Sequence, residues 1–216
     1  MFAILIIMEA VKSTKVRNTE HVPKSYKEFM DSEKKWIQDT IQHTSSLIDV
    51  GCGDGRLTLT LSQLTDKYVG VDLDSEALQK AKLLERDNVK MYAADATKLS
   101  ALFREKEFET SVLLWNTIGN VEDDKKVLEE VYKITRSKCF ITGIKKGALA
   151  ERKKYYDSYN ADYTIDEDTE TIYSNVWGIS KSYSPAELGT LCQTAGFRIV
   201  NIIEFNDLAF GIELSK

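Results

Sequence analysis

Of the residues that most often punctuate, coordinate or cross-link a chain, this 216-residue sequence holds few: two prolines, two histidines and three cysteines. So little proline excludes a proline-rich linker, and 43% hydrophobic beside 29% charged residues describes a folded globular chain with one core. Cys52, Cys139 and Cys192 are odd in number and far apart, which fits neither a disulfide framework nor a zinc ligand set and points to a reducing cytoplasm. His21 and His43 both precede the first expected sheet strand and read as surface residues rather than general bases. Positive charge is also short: a net charge of −5 provides no global field for nucleic acid or anionic lipid, so nucleic acid is not the expected partner. The apolar run at residues 2–8 has no basic region before it and no small-residue cleavage site after it, and is too short to span a bilayer. It reads as a short strand or frayed start, with Met8 as a second candidate initiator, and no membrane attachment is expected.

What is present is an alternation of strands and helices. Between residues 23 and 43, Tyr26, Phe29, Met30, Trp36, Ile37 and Ile41 fall near helical spacing, so residues 1–45 are expected to form a helical cap on the unit that follows. Residues 46–216 form that unit. Strands are predicted at 47–50, 68–72, 89–94, 111–115 and 139–144, and the 111–115 segment is nearly all apolar, as a central parallel strand covered on both faces should be. Helices carry Leu57, Leu61 and Leu64, then Leu78, Ala81 and Leu84, then Val127, Leu128, Val131 and Ile134. Residues 147–180 break the rhythm as an insertion, with a basic, tyrosine-rich helix at 151–159, an acidic turn and a strand at 171–179. Ser184-Pro185-Ala186-Glu187 is a capping box with proline at the first helical position, and Gly196 ends that helix. Two strands follow, 197–205 and 208–214, joined by a turn at Asn206-Asp207 too short for a parallel crossover, so one runs antiparallel. The expectation is an α/β fold, doubly wound, with a mostly parallel seven-stranded sheet, one antiparallel C-terminal strand and helices on both faces.

Chemistry concentrates at the C-terminal ends of the first strands, the edge where open α/β sheets bind ligands. Gly51, Gly53 and Gly55 strip side chains from the turn after the first strand, so a ligand can lie against backbone N–H groups and a helix N-terminus. Acids recur at three successive strand ends: Asp49, Asp72 and Asp95. A carboxylate at the end of strand two can accept from both hydroxyls of a ribose, and Asp95, one strand further out, from an exocyclic amine such as that of adenine. The plain alternative for Asp72 and Asp95 is a helix cap or a solvated turn.

The runs Asp49-Val50-Gly51-Cys52-Gly53-Asp54-Gly55, Gly70-Val71-Asp72-Leu73-Asp74 and Ala94-Asp95-Ala96 resemble the successive cofactor motifs of class I, Rossmann-like, S-adenosylmethionine-dependent methyltransferases. The resemblance covers roughly residues 46–145 and returns weakly near 184–197. It implies S-adenosyl-L-methionine as cofactor, with Gly51, Cys52 and Gly53 beneath its methionine part, Asp49 orienting its amino group, Asp72 on the ribose, Leu73 on the adenine face and Asp95 with Ala96 at the adenine amino edge. It also implies that residues 115–120 line the methyl-transfer site, Asn116 on the cofactor side and Asn120 toward the substrate, and that Tyr26 closes over the methionine end. Two rivals share the sheet. A nicotinamide dehydrogenase would want glycine at Arg56, and an aminopropyl transferase would want further acids where Asn116 and Asn120 stand.

An activated methyl donor asks of the protein mainly positioning, so no catalytic base is assigned. The acceptor is expected to be a small molecule methylated on N or O, since residues 116–119 lack the Asn/Asp-Pro-Pro-Tyr pattern of amino-methyltransferases and no Pro-Cys pair exists for a covalent cysteine route. Tyr155, Tyr156, Tyr159, Tyr173 and Trp177 of the insertion are expected to wall its pocket, with Tyr155, Tyr159 and Trp177 as direct contacts, while Arg152, Lys153 and Lys154 form a solvated face. A protein or RNA methyltransferase, and a non-catalytic binding subunit of the same fold, stay open as alternatives. The expected quaternary state is a monomer or homodimer, with no metal.

Overall fold

The structure, a computed structural model, describes residues 22–216. The strand expected at residues 2–8, and His21, lie outside the described residues. Helix α1 (Lys24–Thr40) buries Tyr26, Phe29, Glu33, Trp36 and Ile37 along one stripe, so the spacing read from the sequence does form a single helix. Strand β1 (Leu47–Val50) is buried at every position and leads through the glycine turn into a single helical turn, α2 (Thr58–Leu61), shorter than the spacing of Leu57, Leu61 and Leu64 suggests. After β2 (Tyr68–Asp72), Asp74 caps α3 (Ser75–Ala81) by accepting from the Glu76 and Ala77 N–H groups. Strand β3 (Val89–Ala93) follows.

Strand β4 (Phe108–Leu113) begins and ends earlier than the apolar run at 111–115 implies. Trp115 and Asn116 leave it in the left-handed region, at φ 57° and 60°, and the Trp115 N–H donates to Glu33 Oε1 at 2.7 Å instead of to a strand neighbour. Helix α4 (Asp124–Ile134) runs straight into β5 (Thr135–Ile144), which extends the 139–144 strand backward because Thr135 caps the helix end, its hydroxyl donating to Val131 O at 2.6 Å.

The insertion holds α5 (Leu149–Ser158) and a small antiparallel sheet of β6 (Tyr163–Asp166), β7 (Thr171–Ser174) and β8 (Gly178–Ser180). The single strand expected at 171–179 is thus a hairpin: the chain reverses at residues 175–177, and Gly178 takes φ 69° on the way back. The acidic stretch before it is part strand, with β6 paired to β7. The capping box forms as read. Ser184 Oγ accepts from the Glu187 N–H and the Glu187 carboxylate from the Ser184 N–H at the start of α6 (Pro185–Thr194).

Strands β9 (Arg198–Glu204) and β10 (Ala209–Ser215) complete a seven-stranded sheet in the order β3-β2-β1-β4-β5-β10-β9. Pairings among β1 to β5 are parallel, and β10 runs antiparallel to both β5 and β9. The turn that reverses the chain is held by Asn206, whose Oδ1 accepts from the N–H groups of Leu208 and Ala209 at 2.9 and 3.1 Å. One face of the sheet packs Leu128, Val131, Leu188 and Cys192 from α4 and α6 against it. The other packs Trp36, Ile37, Leu61 and Leu78 from α1, α2 and α3, so the sheet is wound on both sides. No helix among the described residues is long and apolar enough to cross a membrane.

Candidate active site

Along the C-terminal edge of β1, β2 and β4 lies a cavity of about 1510 Å³. Its first wall is the turn after β1. Gly51 and Gly53 take φ of 78° and 55°, which side-chain-bearing residues rarely adopt. The Gly51 and Cys52 N–H groups donate to Val71 O at 2.8 and 3.0 Å, which pins the turn to β2. A Cβ on Gly51 would stand 2.5 Å from the Thr117 side chain, whereas one on Gly53 would meet nothing within 4 Å. The first glycine is therefore needed for packing and the second faces open space.

The three strand-end acids all line this cavity, each in a different state. Asp72 Oδ2 accepts from the Gly53 N–H at 2.7 Å and Oδ1 from the Asp74 N–H at 2.9 Å, so the carboxylate also clasps the glycine turn. Asp49 is buried and accepts from the Tyr68 hydroxyl at 2.9 Å. Burial pushes its carboxyl up to about 7, against the opposing effects of the Tyr68 hydrogen bond and the Arg56 charge. Asp95 accepts from the Thr97 hydroxyl and N–H at 2.7 and 2.9 Å and faces Lys98 at 3.1 Å, and those Thr97 bonds hold it below the usual carboxylate range. Asp95 thus caps the following turn while remaining at the cavity edge beside Ala96. Leu73 lies on the cavity lining and is 74% exposed.

The opposite end is aromatic. Tyr26 and Phe29 of α1 meet the Trp115 ring at 5.8 and 4.9 Å between centroids, and Tyr26 stacks on Tyr155 at 4.2 Å. Trp177, at the tip of the β7–β8 hairpin, packs on Tyr155, Tyr156 and Tyr159 at 5.2–5.7 Å. Tyr173, expected in the same wall, is instead exposed on β7, because neighbouring residues of a strand face opposite sides. Asn116 and Asn120 reach the cavity from the turn after β4. The Asn116 amide is engaged at both ends, Oδ1 accepting from the Ile144 N–H at 3.0 Å and Nδ2 donating to Lys181 O at 3.1 Å.

One residue that sequence reading did not single out organises the site. Glu33, wholly buried on α1, accepts from the Trp115 N–H at 2.7 Å and the Thr142 hydroxyl at 2.6 Å, and pairs with Arg56. The Arg56 guanidinium lies 5.0 Å from the Trp115 ring centroid, so it fills the place of a third glycine with a cation that ties the glycine turn to α1. The hint was a carboxylate in the middle of an apolar stripe. Arg152, expected on a solvated face, is completely buried: its guanidinium donates to the backbone oxygens of Glu170 and Ser180, which fixes the small sheet against α5. His43 is exposed, 3.5 Å from Asp66. Among the described residues no cluster could hold a metal ion.

A parallel sheet reversed at its last strand, with glycines and acids at one edge, defines a Rossmann-like nucleotide-cofactor fold. The sequence matches the methyltransferase domain family over residues 41–195, and the chain belongs to that family of S-adenosylmethionine-dependent enzymes. It is 32% identical over 108 residues to the ribosomal protein L11 methyltransferase of Thermotoga neapolitana, a match covering 49% of this chain and 39% of that protein. The chain spans less than half the length of the curated relatives it matches, from 20% to 47%. Similar solved structures include a SAM-dependent methyltransferase from Aquifex aeolicus, with a TM-score of 0.65 and 19% identity over 91% of this chain and 95% of that one. Another is the 1,6-didemethyltoxoflavin-N1-methyltransferase of Burkholderia thailandensis, with a TM-score of 0.64 and 14% identity over 100% of this chain and 88% of that one. At those identities the likeness is one of fold.

Proposed function

We propose that the chain transfers a methyl group from S-adenosylmethionine to nitrogen or oxygen of a small molecule seated against the aromatic wall. The observation that carries this reading is that one cavity joins two chemically different ends: the glycine turn with Asp49, Asp72 and Asp95, and a wall of rings from α1, the turn after β4 and the insertion. Its volume of about 1510 Å³ exceeds the roughly 300–1,000 Å³ of a pocket for one drug-sized ligand, leaving room for donor and acceptor together.

The residues at the polar end fit the cofactor. The open side of Gly53 admits a ligand close to the backbone, and Gly51, Cys52 and Gly53 would bed its methionine part. The Asp72 carboxylate donates nothing and accepts one bond per oxygen, so a lone pair on each stays available to ribose hydroxyls. Asp49 would meet the amino group, Leu73 the adenine face, and Asp95 with Ala96 its amino edge. Tyr26 would cover the methionine end. Asn116, by holding Ile144 and Lys181, would shape the floor of the transfer site, and Asn120, Tyr155, Tyr159 and Trp177 would meet the acceptor. When bound, the cofactor supplies a methyl group already activated on a sulfonium. The protein's own task is to orient the acceptor and exclude water, effects that together can lower a barrier by about 7–11 kcal/mol in well-aligned systems. Helix α1, which brings Tyr26 and Phe29 to the cavity, is then a cap on the same folding unit.

Incubation with methyl-labelled S-adenosylmethionine and fractionated cell extract tests the acceptor class. Label should enter low-molecular-mass material. Label confined to ribosomal protein or RNA would replace this reading with a macromolecular acceptor, and cofactor binding without transfer to any fraction with a non-catalytic one.

A further inference from the structure

The aromatic wall could in principle hold either a flat neutral ring or an organic cation, since ring faces attract both. What stands behind the wall separates the two. Arg152 is 0% exposed. Its Nη2 donates to Ser180 O at 2.5 Å and to Ser180 Oγ at 3.2 Å, Nη1 donates to Glu170 O, and Nε has no partner among the described residues. These are neutral acceptors. The Glu170 carboxylate is turned elsewhere, onto the Gly147 N–H at 2.8 and 3.0 Å. Glu151, one position before Arg152 on α5, binds Ser25 Oγ at 2.7 Å and Lys154 Nζ at 2.5 Å. A buried positive charge is thus left with no carboxylate in contact, Glu170 acting on it only through space, directly behind Tyr26, Tyr156 and Ser180, all of which line the cavity. The cavity's carboxylates, Asp49, Asp72 and Asp95 among them, sit at the glycine-turn end or on residues 122–123, not on the insertion.

Resting on the proposed small-molecule reading, we infer that the acceptor is a planar ring compound that binds as a neutral or anionic species, carrying an ionisable hydroxyl or ring N–H, and that Arg152 is the positioning residue that excludes ammonium acceptors. The positive charge of a group that touches no solvent is only weakly screened over the short distance to the rings in front of it, so at this end of the cavity it favours the anion of a phenol, enol or heteroaromatic N–H over its cationic analogue. Such an acceptor loses its proton to water before transfer. Its electron pair then forms the bond to the methyl carbon while the donor sulfur keeps the pair of the bond that breaks, so no protein base is required. Arg152 does this without touching the acceptor, through the rings of Tyr26 and Tyr156.

Calorimetry on the full chain saturated with S-adenosylhomocysteine tests this with two flat probes of opposite charge, 4-nitrophenolate and phenyltrimethylammonium, at a pH where the phenol is ionised. The wild-type protein should bind the anion about tenfold or more tightly than the cation. Arg152→Met should shrink that preference to about threefold or less with S-adenosylhomocysteine affinity retained, and Arg152→Lys should keep it. If Arg152→Met fails to fold, the wild-type preference and Arg152→Lys decide the matter. Equal or tighter binding of phenyltrimethylammonium, binding of neither probe, or an unchanged preference in Arg152→Met would overturn the inference while leaving cofactor binding intact. Failure of the wild-type protein to bind S-adenosylhomocysteine at all would instead remove the methyltransferase reading beneath it.

Discussion

Asp49 and Asp72 stand at the ends of neighbouring strands, yet the protein surrounds them differently. Asp72 is half-exposed and accepts from two backbone N–H groups. Replacing it by alanine removes the proposed ribose acceptor and also frees the Gly53 N–H, so affinity for S-adenosylmethionine should fall by more than about tenfold in calorimetry. Asp74→Ala serves as the control: it takes away the α3 cap, at about 1 kcal/mol of stability, without touching the predicted ribose contact. Equal affinities for wild type and Asp72→Ala would count against the site. Asp49 has its carboxyl raised from 3.8 to about 7 by burial. Between those values the folded state keeps a proton that the unfolded chain has lost, so this residue makes stability fall as pH rises through that window, by at most about 1.4 kcal/mol per pH unit. Asp49→Asn keeps the group neutral in both states. Urea unfolding of both proteins from pH 4 to pH 8 should show the variant gaining on the wild type as pH rises. Glu130 works in the opposite sense: bonds from Lys133 and Ser100 overcome burial and hold it near 2, but it is common to both proteins and cancels. Parallel curves would mean that Asp49 is already ionised in the free protein.

Among the elements, those whose causes are local were legible in the sequence and those assembled from afar were not. The α6 capping box is written within four consecutive residues, and the glycine turn with its strand-end acids within three short runs, so both emerged with their boundaries. The hairpin β7–β8 was hidden because a tight reversal through Asn175, Val176 and Trp177 carries the same β-forming residues as the strands it joins. Glu33 was hidden for another reason. Its partners Arg56, Trp115 and Thr142 lie 23, 82 and 109 residues away, and no periodicity spans such distances. Arg152 likewise reads as one of three basic residues on a helix until the small sheet that buries it is built. The Glu33 cluster ties α1 to the cavity: one carboxylate gathers the glycine turn, the end of β4 and β5 beneath the helix that supplies Tyr26 and Phe29. Glu33→Ala should destabilise the protein by roughly 3 kcal/mol in urea unfolding, the lower end of the range for breaking a buried ion pair, because Arg56 is 23% exposed and can regain water. It should also loosen Trp115, seen as a change in tryptophan fluorescence in the native baseline. A loss below about 1 kcal/mol would show that α1 is held by its apolar stripe alone.

For the whole molecule the balance of charge decides what can approach. The chain carries 34 acidic against 29 basic residues. At the glycine-turn end of the cavity the imbalance is sharper, with Arg56 and Lys80 set against Asp49, Asp72 and Asp95 at the ends of β1, β2 and β3. Even Arg56 is spent on Glu33, and of the surface lysines many are paired, as Lys67 is with Glu107 at 3.0 Å and Lys146 with Glu187 at 2.5 Å. A polyanion reaching the transfer site would have to bring its phosphates across this rim without the counterion release that normally drives such binding. The fold itself is indifferent to the question, since the same sheet serves acceptors of many sizes. The charge distribution therefore yields a prediction that the topology does not. The purified chain should show no retention of a single-stranded or hairpin RNA in filter binding, even at about 50 mM salt, where a protein making six to ten phosphate contacts binds about 10³–10⁵ times more tightly than at about 200 mM. Retention that falls steeply with added salt would reveal a basic track and shift the acceptor toward RNA. Retention insensitive to salt would point to base stacking on the exposed Trp177 and Tyr173, and would be abolished by changing those two residues to serine.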